Sequence, residues 1–222
     1  FAVPGVELST LWQGKELHIL GLFLPQESLA PLEAYTKDYL ARKEAGNRDL
    51  VDRLQKAGYE VDYEALQAST PKGKLNRAHI AAALAEKGYV SSIREAFDTL
   101  LKEDGDYYVP TERPQALESI ALLRSLSALP VLAHPFLDLS GEELNRFLPA
   151  AAAAGLMGME VLHPAHGREE TECALSLCRQ YGILPSGGSD FHGTRKPDVT
   201  LGMKNVPHTY FENLLNHSTH RA

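Results

Sequence analysis

The sequence predicts an α/β fold in which parallel strands alternate with helices and close into a barrel. After residue 108, three segments with helical periodicity each lead into a short apolar run, and each run ends at a histidine or at an aspartate and a histidine together. A barrel suits this rhythm better than an open sheet, because it brings the C-terminal ends of its strands to one rim. Residues 26–108 form long charged helical segments instead. We therefore predict a barrel made of 1–25 and 109–222, with an inserted helical domain at 26–108.

The barrel region opens with two predicted strands, at residues 1–8 and 15–22, separated by a turn at 13–14. A hairpin of this kind would let Glu7 face His18. Each side chain also has a plainer interpretation: Glu7 could be a solvated charge at a strand end, and His18 a hydrogen-bonded core histidine.

The inserted region is predicted to be helical. Its longest helix, 29–57, has apolar residues at helical spacing and is followed by Gly58, the residue type that commonly ends a helix. Arg77 and His79 begin an alanine-rich helix whose N-terminal amides would favour an anion. The alternative is an ordinary solvated first turn. The shorter helices are predicted at about 62–67, 77–87 and 92–102, with a linker at 69–74.

Three helix-and-strand pairs complete the barrel region. His134 and His163 end the first two strands, and Asp190 and His192 follow the third. At alternate positions of an extended backbone, Asp190 and His192 would point the same way and offer an oxygen and a nitrogen to a divalent metal. The alternative is a loop whose Asp and His contact only water. The helices are predicted at 115–126, 141–154 and 168–181, the strands at 129–135, 158–164 and from Ile183, and a last short helix lies within 200–215, before a loose tail in which His217 and His220 are incidental.

Composition limits the classes of function. The net charge of −7 argues against a broad nucleic-acid-binding face, so any contact with a polynucleotide should be confined to a cleft. Cys173 and Cys178 fit neither a disulfide framework nor a zinc-ligand spacing, and we expect buried thiols in a reducing, cytoplasmic setting. No apolar stretch long enough for a membrane helix occurs in the sequence. The chain starts without an initiator methionine, so we expect a fragment of a longer protein.

Several motifs, in order along nearly the whole chain, resemble those of the PHP (polymerase and histidinol phosphatase) metal-dependent phosphoesterases. Within that family the resemblance is to the bacterial branch with an inserted helical domain, whose members act as 3′,5′-nucleoside bisphosphate phosphatases and 5′-to-3′ exoribonucleases. The motifs are VPGVELST at 3–10, LHILGL at 17–22, LAHP at 132–135 and GSDFH at 188–192, with NRAH at 76–79 and AFDTLL at 96–101 in the insertion.

The resemblance implies a distorted (β/α)7 barrel with two or three divalent metals at its rim, most often Mn²⁺, with Mg²⁺, Zn²⁺ or Fe²⁺ as alternatives. It implies that Arg77 and His79 hold the substrate phosphate as catalytic residues, and that His163 contacts the substrate, with His166 a less secure match nearby. The metal ligands that it implies are Glu7 as a bridge, His18, His134, Asp190 and His192.

The sequence departs from the family pattern in two places. The family begins with a strand bearing His-x-His and an aspartate and a second bearing Thr-Asp-His, and neither precedes Phe1, so we expect an N-terminally incomplete barrel. Where the family tends to carry arginine before asparagine, the chain has Gly46 before Asn47. A phosphate-binding role there would pass to Arg42 or Arg48.

We therefore predict a metal-dependent phosphoesterase that acts on a small nucleotide or a short RNA 5′ end. Clustered metals would activate water and hold the phosphoryl oxygens for in-line displacement, with Arg77 as a bidentate phosphate ligand and His79 as a proton donor. One alternative is a phosphatase of another small phosphate ester, such as histidinol phosphate. Another is a catalytically incomplete metal-binding module. The sequence indicates no membrane contact and no obligate protein partner, and neither cysteine has a histidine partner that would make it a nucleophile.

Overall fold

The computed structural model of the chain describes residues 2–70, 75–103, 105–193, 196 and 198–218, which contain five strands and eight α-helices. The strands are β1 (Gly5–Trp12), β2 (Lys15–Leu22), β3 (Leu129–Leu132), β4 (Gly158–Leu162) and β5 (Leu184–Gly187). The helices are α1 (Leu29–Lys56), α2 (Tyr63–Ser69), α3 (Arg77–Glu86), α4 (Ile93–Asp98), α5 (Ala116–Ser125), α6 (Gly141–Ala154), α7 (Arg168–Tyr181) and α8 (His208–His217).

The chain divides into two compact units, one made of 1–33 and 113–222 and the other of 34–112. The first unit contains the five strands and the second is helical, in keeping with the mixed α/β class that the sequence predicts. None of the helices in the described ranges combines the length and the apolar character needed to cross a bilayer.

One sheet holds all five strands in the order β1-β2-β3-β4-β5. β1 and β2 form the predicted hairpin, and its two turn residues, Gln13 and Gly14, have φ of 50° and 81°. Positive φ at both positions gives a turn whose twist matches that of the flanking strands. β2 pairs antiparallel with β3, whereas β3, β4 and β5 are parallel neighbours. The C-terminal ends of the three parallel strands therefore lie at one edge of the sheet.

The core of the first unit fills the space between the sheet and helices α5, α6 and α7. Ile19 of β2, Leu132 of β3, Leu123 of α5 and Phe147 of α6 are fully buried within one cluster. Removing a side chain of this size from water stabilises the fold by about 1.5–3 kcal/mol. Apolar packing between the sheet and these helices thus fixes the position of the C-terminal strand ends.

The second unit has its own core, which includes Leu50 and Leu54 of α1 and Ile80 and Leu84 of α3, all fully buried. Its short helices begin at capping side chains that accept hydrogen bonds from the first turn, which satisfies amides that would otherwise lack a partner. The caps are Asp62 for α2, Asn76 for α3 and Ser92 for α4.

Several element boundaries differ from the sequence-based predictions. β1 runs to Trp12 instead of ending near residue 8, because residues 9–12 pair with residues 15–18 of β2 and the Thr10 hydroxyl donates to the Leu17 carbonyl. β3 ends at Leu132 and β4 at Leu162, which leaves His134 and His163 outside the strands predicted to contain them, while α4 ends at Asp98, four residues early. α8 continues through His217, which is helical and not part of a loose tail. Residues 71–74 of the predicted linker and His220 lie outside the described residues.

Candidate metal centre

Strand register brings Glu7, His18 and His134 together. His18 on β2 is paired with Ser9 on β1, and Glu7 lies two residues from Ser9 on the same face. The Ala133 amide donates to the His18 carbonyl, so His134 follows immediately beside β2. The His18 Nδ1 atom lies 2.8 Å from Glu7 Oε1 and 3.1 Å from His134 Nε2, and the His134 Nε2 to Glu7 Oε1 distance is 3.5 Å.

These three atoms are spaced as ligands of one metal ion would be. Ligand atoms at about 2.1 Å from a common ion, in tetrahedral or octahedral geometry, lie roughly 3.0–3.4 Å from one another. The observed separations of 2.8, 3.1 and 3.5 Å bracket that range. One carboxylate oxygen and two imidazole nitrogens are also a donor set that borderline divalent metals accept. The residues therefore fit a divalent metal in both spacing and chemistry.

A second group of candidate ligands shares Glu7 with the first. Glu7, Asp190 and His192 each place one ligand atom within 4.8 Å of the others, and His192 Nδ1 lies 3.2 Å from Asp190 Oδ1. A carboxylate common to two groups is positioned to bridge two ions. Both groups line one cavity of about 290 Å³, together with Ser9, Leu137 and Lys196.

Asp190 reaches this cavity through a turn and not along an extended strand, which corrects the backbone conformation expected from the sequence. β5 ends at Gly187, and Asp190 has a φ of 51° in the left-handed region, which aspartate tolerates better than most residues. The His192 Nδ1 atom then lies 2.8 Å from the Asp190 carbonyl oxygen. The two side chains converge because the backbone turns at Asp190. They do not converge by lying on one face of an extended strand, the arrangement that the sequence predicts.

The electrostatics of the first group are those of a cation site. Hydrogen bonds from His134 and His18 hold the pKa of Glu7 well below its usual range. Burial alone would lower the pKa of His18, but its hydrogen bonds with Glu16 and Glu7 outweigh burial and raise the pKa to about 9. His18 is thus an imidazolium at neutral pH, and its proton lies between the atoms that would hold a metal. In the second group, the Lys196 ammonium lies 2.5 Å from Asp190 Oδ2.

Glu160 on β4 accepts a hydrogen bond from the backbone of His134. It is 8% exposed, and its Oε2 accepts a 2.8 Å hydrogen bond from the His134 amide. His134 has a φ of 25°, an uncommon conformation for a residue other than glycine. Burial raises the pKa of Glu160. This buried acceptor holds His134 in a conformation that the residue would not favour alone.

His163 lies beside Asp190, one of the residues that line the cavity, and His166 packs against His163. His163 Nδ1 accepts from the Ala165 amide, which leaves a proton on Nε2, and this Nε2 lies 3.7 Å from Asp190 Oδ2 with no hydrogen-bond partner among the described residues. Burial lowers the pKa of His163 to about 4, so the ring is neutral at pH 7. His166 packs on Phe136 and His163, and its Nδ1 lies 3.3 Å from the Val161 carbonyl oxygen.

Arg77 and His79 belong to the second unit, where both have structural partners. The Arg77 guanidinium packs 3.9 Å from the centre of the Tyr108 ring and 3.4 Å from Glu103. His79 Nδ1 accepts from the Asn76 amide and completes the cap of α3. Their role in binding phosphate stays a prediction.

The alternative phosphate ligand Arg48 is also engaged within the second unit. It pairs with Glu64 at 2.6 Å and packs 4.0 Å from the centre of the Tyr63 ring. A phosphate role for Arg42 or Arg48 therefore stays a prediction as well.

Sequence reasoning did not select five residues that surround the ligands. Glu16 carried a usable pattern, since a carboxylate two residues before a histidine on a strand shares its face. Glu160 precedes His163 in the same strand segment, but its burial beneath His134 depends on strand pairing. Ser9, Leu137 and Lys196 line the cavity through the fold, and no local pattern marks them.

Comparisons with known proteins place the chain among phosphoesterases. The 5′-3′ exoribonuclease Rnm of Salmonella typhimurium is 31% identical over 207 residues, covering 91% of this chain and 69% of that protein. A phosphoribosyl 1,2-cyclic phosphate 1,2-diphosphodiesterase of Eggerthella lenta is 33% identical over 195 residues, covering 86% of this chain and 72% of that protein. No family model matches the chain.

The fold agrees with these relatives. A crystal structure of a protein assigned as a metal-dependent phosphoesterase from Bifidobacterium adolescentis superposes with a TM-score of 0.80 at 26% identity, covering 98% of this chain and 77% of that one. The matched residues therefore include residues of both units of the chain.

Proposed function

Because this chain belongs to the PHP-type metal-dependent phosphoesterases, we propose that it hydrolyses phosphate esters of nucleotides, as a 3′,5′-nucleoside bisphosphate phosphatase or a 5′-to-3′ exoribonuclease. The chain is a metal-dependent hydrolase of phosphate esters by this membership. The observation that carries the finer proposal is the contact among Glu7 Oε1, His18 Nδ1 and His134 Nε2 in a cavity that also contains Asp190 and His192. The proposal includes a cytoplasmic setting for this nucleotide chemistry.

We assign the five-stranded sheet to part of a distorted (β/α)7 barrel. The three consecutive parallel strands with helices between them support this assignment. Mn²⁺ is the metal we propose, because the family resemblance implies it. The mixed set of carboxylate and imidazole ligands accepts Mn²⁺ and also Zn²⁺ or Fe²⁺.

The five proposed ligands would hold two metal ions. Glu7 would bridge two ions, with His18 and His134 on one side of it and Asp190 and His192 on the other. Bound divalent metal ions supply charge stabilisation at the phosphoryl oxygens and lower the pKa of water. Phosphate esters need both, because their negative charge repels a nucleophile and their alkoxide leaves poorly.

The chain's own groups would orient the substrate. His163 is neutral and carries its proton on Nε2, so it is suited to donate a hydrogen bond to a phosphoryl oxygen. Arg77 is proposed as a bidentate phosphate ligand and His79 as a donor to a phosphoryl oxygen or the leaving group. Binding phosphate would require Arg77 to exchange its contact with Glu103, a weak pair at the surface.

Asp190→Ala in the full-length protein tests the metal-centred function. We expect the Mn²⁺-dependent hydrolysis of a phosphate ester to fall by at least about 100-fold, because the change removes a metal ligand. The matched control is Asp49→Ala, which removes an exposed carboxylate paired with Arg53 on α1 and should leave turnover unchanged. Turnover by Asp190→Ala equal to that of the wild type would refute the assignment.

A substrate panel separates the proposed function from its alternatives. It would compare adenosine 3′,5′-bisphosphate, a 5′-phosphorylated oligoribonucleotide, a sugar 1,2-cyclic phosphate and histidinol phosphate. Preference for either of the first two supports the proposal, and the third is included because of the relative in Eggerthella lenta. A full-length protein that binds no transition metal and hydrolyses none of the four would instead support a catalytically incomplete module.

A further inference from the structure

We propose that Glu16, held in place by Arg113, is a positioning residue that favours the tautomer of His18 able to bind a metal through Nδ1. This inference rests on the proposed metal centre, but it concerns a pair of residues that lie outside the ligand set. Neither Glu16 nor Arg113 touches the proposed ions, and both act through His18.

The two ring nitrogens of His18 face different partners. Nδ1 points at the candidate ligands Glu7 and His134, at 2.8 and 3.1 Å. Nε2 points the other way, to Glu16 Oε1 and Ser9 Oγ, each at 3.3 Å. A neutral imidazole carries one proton, so Nδ1 has a free lone pair for a metal only when the proton is on Nε2.

Two carboxylates face the ring: Glu7, 2.8 Å from Nδ1, favours a proton on Nδ1, and Glu16, 3.3 Å from Nε2, favours a proton on Nε2. An ionised carboxylate can only accept a hydrogen bond, so the bond to Glu16 requires a proton on His18 Nε2. The Ser9 hydroxyl can either donate or accept, and it imposes no choice. Histidine ligands of metals commonly donate their second N–H to a carboxylate in this way, which fixes the ring and raises its basicity.

Arg113 fixes the position of the Glu16 carboxylate. Its Nη2 lies 3.0 Å from Glu16 Oε2, the oxygen that does not face His18. The Arg113 side chain is only 14% exposed, and the Pro114 carbonyl next to it accepts from the Leu11 amide of β1. The guanidinium also balances the charge of Glu16. The pair therefore contributes orientation to the centre more than net negative charge.

An ordinary surface ion pair is the competing explanation. Such a pair would contribute about 0–1 kcal/mol to stability and nothing to the state of His18. The two explanations differ in what a change at Glu16 does to metal affinity and to the tautomer of one histidine.

Calorimetric titration of the full-length protein with Mn²⁺ alone measures the first effect. We expect Glu16→Ala to weaken binding roughly ten- to hundredfold and Arg113→Gln to weaken it less, because the carboxylate remains but is no longer held. Glu172→Ala is the matched control, since it removes an exposed carboxylate that is paired with Arg168 near the start of α7. Unchanged affinity in Glu16→Ala would overturn the proposal.

Nitrogen-15 NMR of His18 without added metal measures the second effect directly. At about pH 10, above the pKa of His18, the wild-type ring should be neutral and should divide its one proton between Nδ1, which faces Glu7, and Nε2, which faces Glu16. Glu16→Ala should raise the fraction of the Nδ1-protonated tautomer above that of the wild type, because Glu7 is then the stronger acceptor facing the ring, and an unshifted tautomer ratio would also overturn the proposal. If the wild type binds no Mn²⁺, the proposed metal centre fails, while the tautomer comparison still decides the role of Glu16.

Discussion

At the scale of single residues, the proton on His18 competes directly with a metal ion. The pKa of His18 is raised from 6.5 to about 9, so the ring is protonated at neutral pH and must lose one proton before Nδ1 can bind a metal. Glu7 is already ionised because its pKa lies below its usual range. Binding of a divalent ion at Nδ1 would therefore release one proton from His18.

Metal affinity should consequently rise with pH. Below about pH 9, each unit of increase should strengthen the apparent binding of Mn²⁺ by up to about tenfold, and the dependence should level off above that pH. Titration at pH 6.5, 7.5 and 8.5 in buffers of different ionisation enthalpy measures both the affinity and the protons released. An affinity independent of pH would contradict a protonated His18. His18→Gln should bind weakly and lose most of the slope.

Glu160 offers a test of what holds His134 in its unusual conformation. Glu160→Leu should lower the free energy of unfolding by about 1–3 kcal/mol, because the buried His134 amide loses its acceptor. Glu160→Gln retains a carbonyl acceptor and should stay within about 1 kcal/mol of the wild type. Urea unfolding in the presence of EDTA provides the measurement. Equal losses in both variants would show that the hydrogen bond to His134 is not what matters.

At the scale of elements, the predicted boundaries of α6 and α7 match those of the structure because the sequence carries their caps. Ser140 and Glu143 form a reciprocal capping box before α6, and Gly155 and Gly182 adopt left-handed conformations after α6 and α7. The turn after β5 could not be predicted in the same way. The left-handed conformation of Asp190 depends on the path of the loop after Gly187. Hydrophobic periodicity does not specify the conformation of such a loop.

The close approach of β4 and β5 fixes where the turn that carries Asp190 begins. A Cβ atom on Gly187 would lie 2.7 Å from the Leu162 carbonyl oxygen and 2.8 Å from Leu162 Cβ. Gly187→Ala should therefore destabilise the fold by about 1–3 kcal/mol and weaken Mn²⁺ binding, because β5 must shift. Thermal unfolding and titration with Mn²⁺ test this expectation.

Gly182→Asn is the control for that variant. Gly182 has a left-handed φ of 65°, which asparagine tolerates, and open space around its Cβ position. It should cost little stability and leave Mn²⁺ affinity unchanged. If Gly187→Ala also kept the stability and the Mn²⁺ affinity of the wild type, the close approach of β4 and β5 would not be what positions Asp190.

At the scale of the whole molecule, the sequence predicts the helices and strands better than it predicts which side chains of different elements come into contact. The alternation of helices and strands after residue 108 and the hairpin at 13–14 both follow from local patterns. The approach of Glu7 to His134 depends on the antiparallel pairing of β2 with β3 across more than one hundred residues, which no local pattern specifies. The same holds for Glu160 beneath His134 and for Lys196 beside Asp190.

The most direct measurement of the central claim is an anomalous difference map from crystals of the full-length protein grown with Mn²⁺. The proposed centre predicts a peak about 2.1–2.2 Å from Glu7 Oε1, His18 Nδ1 and His134 Nε2, and a second peak that shares Glu7 with Asp190 and His192. A map with strong Mn²⁺ peaks elsewhere and none beside Glu7 would contradict it.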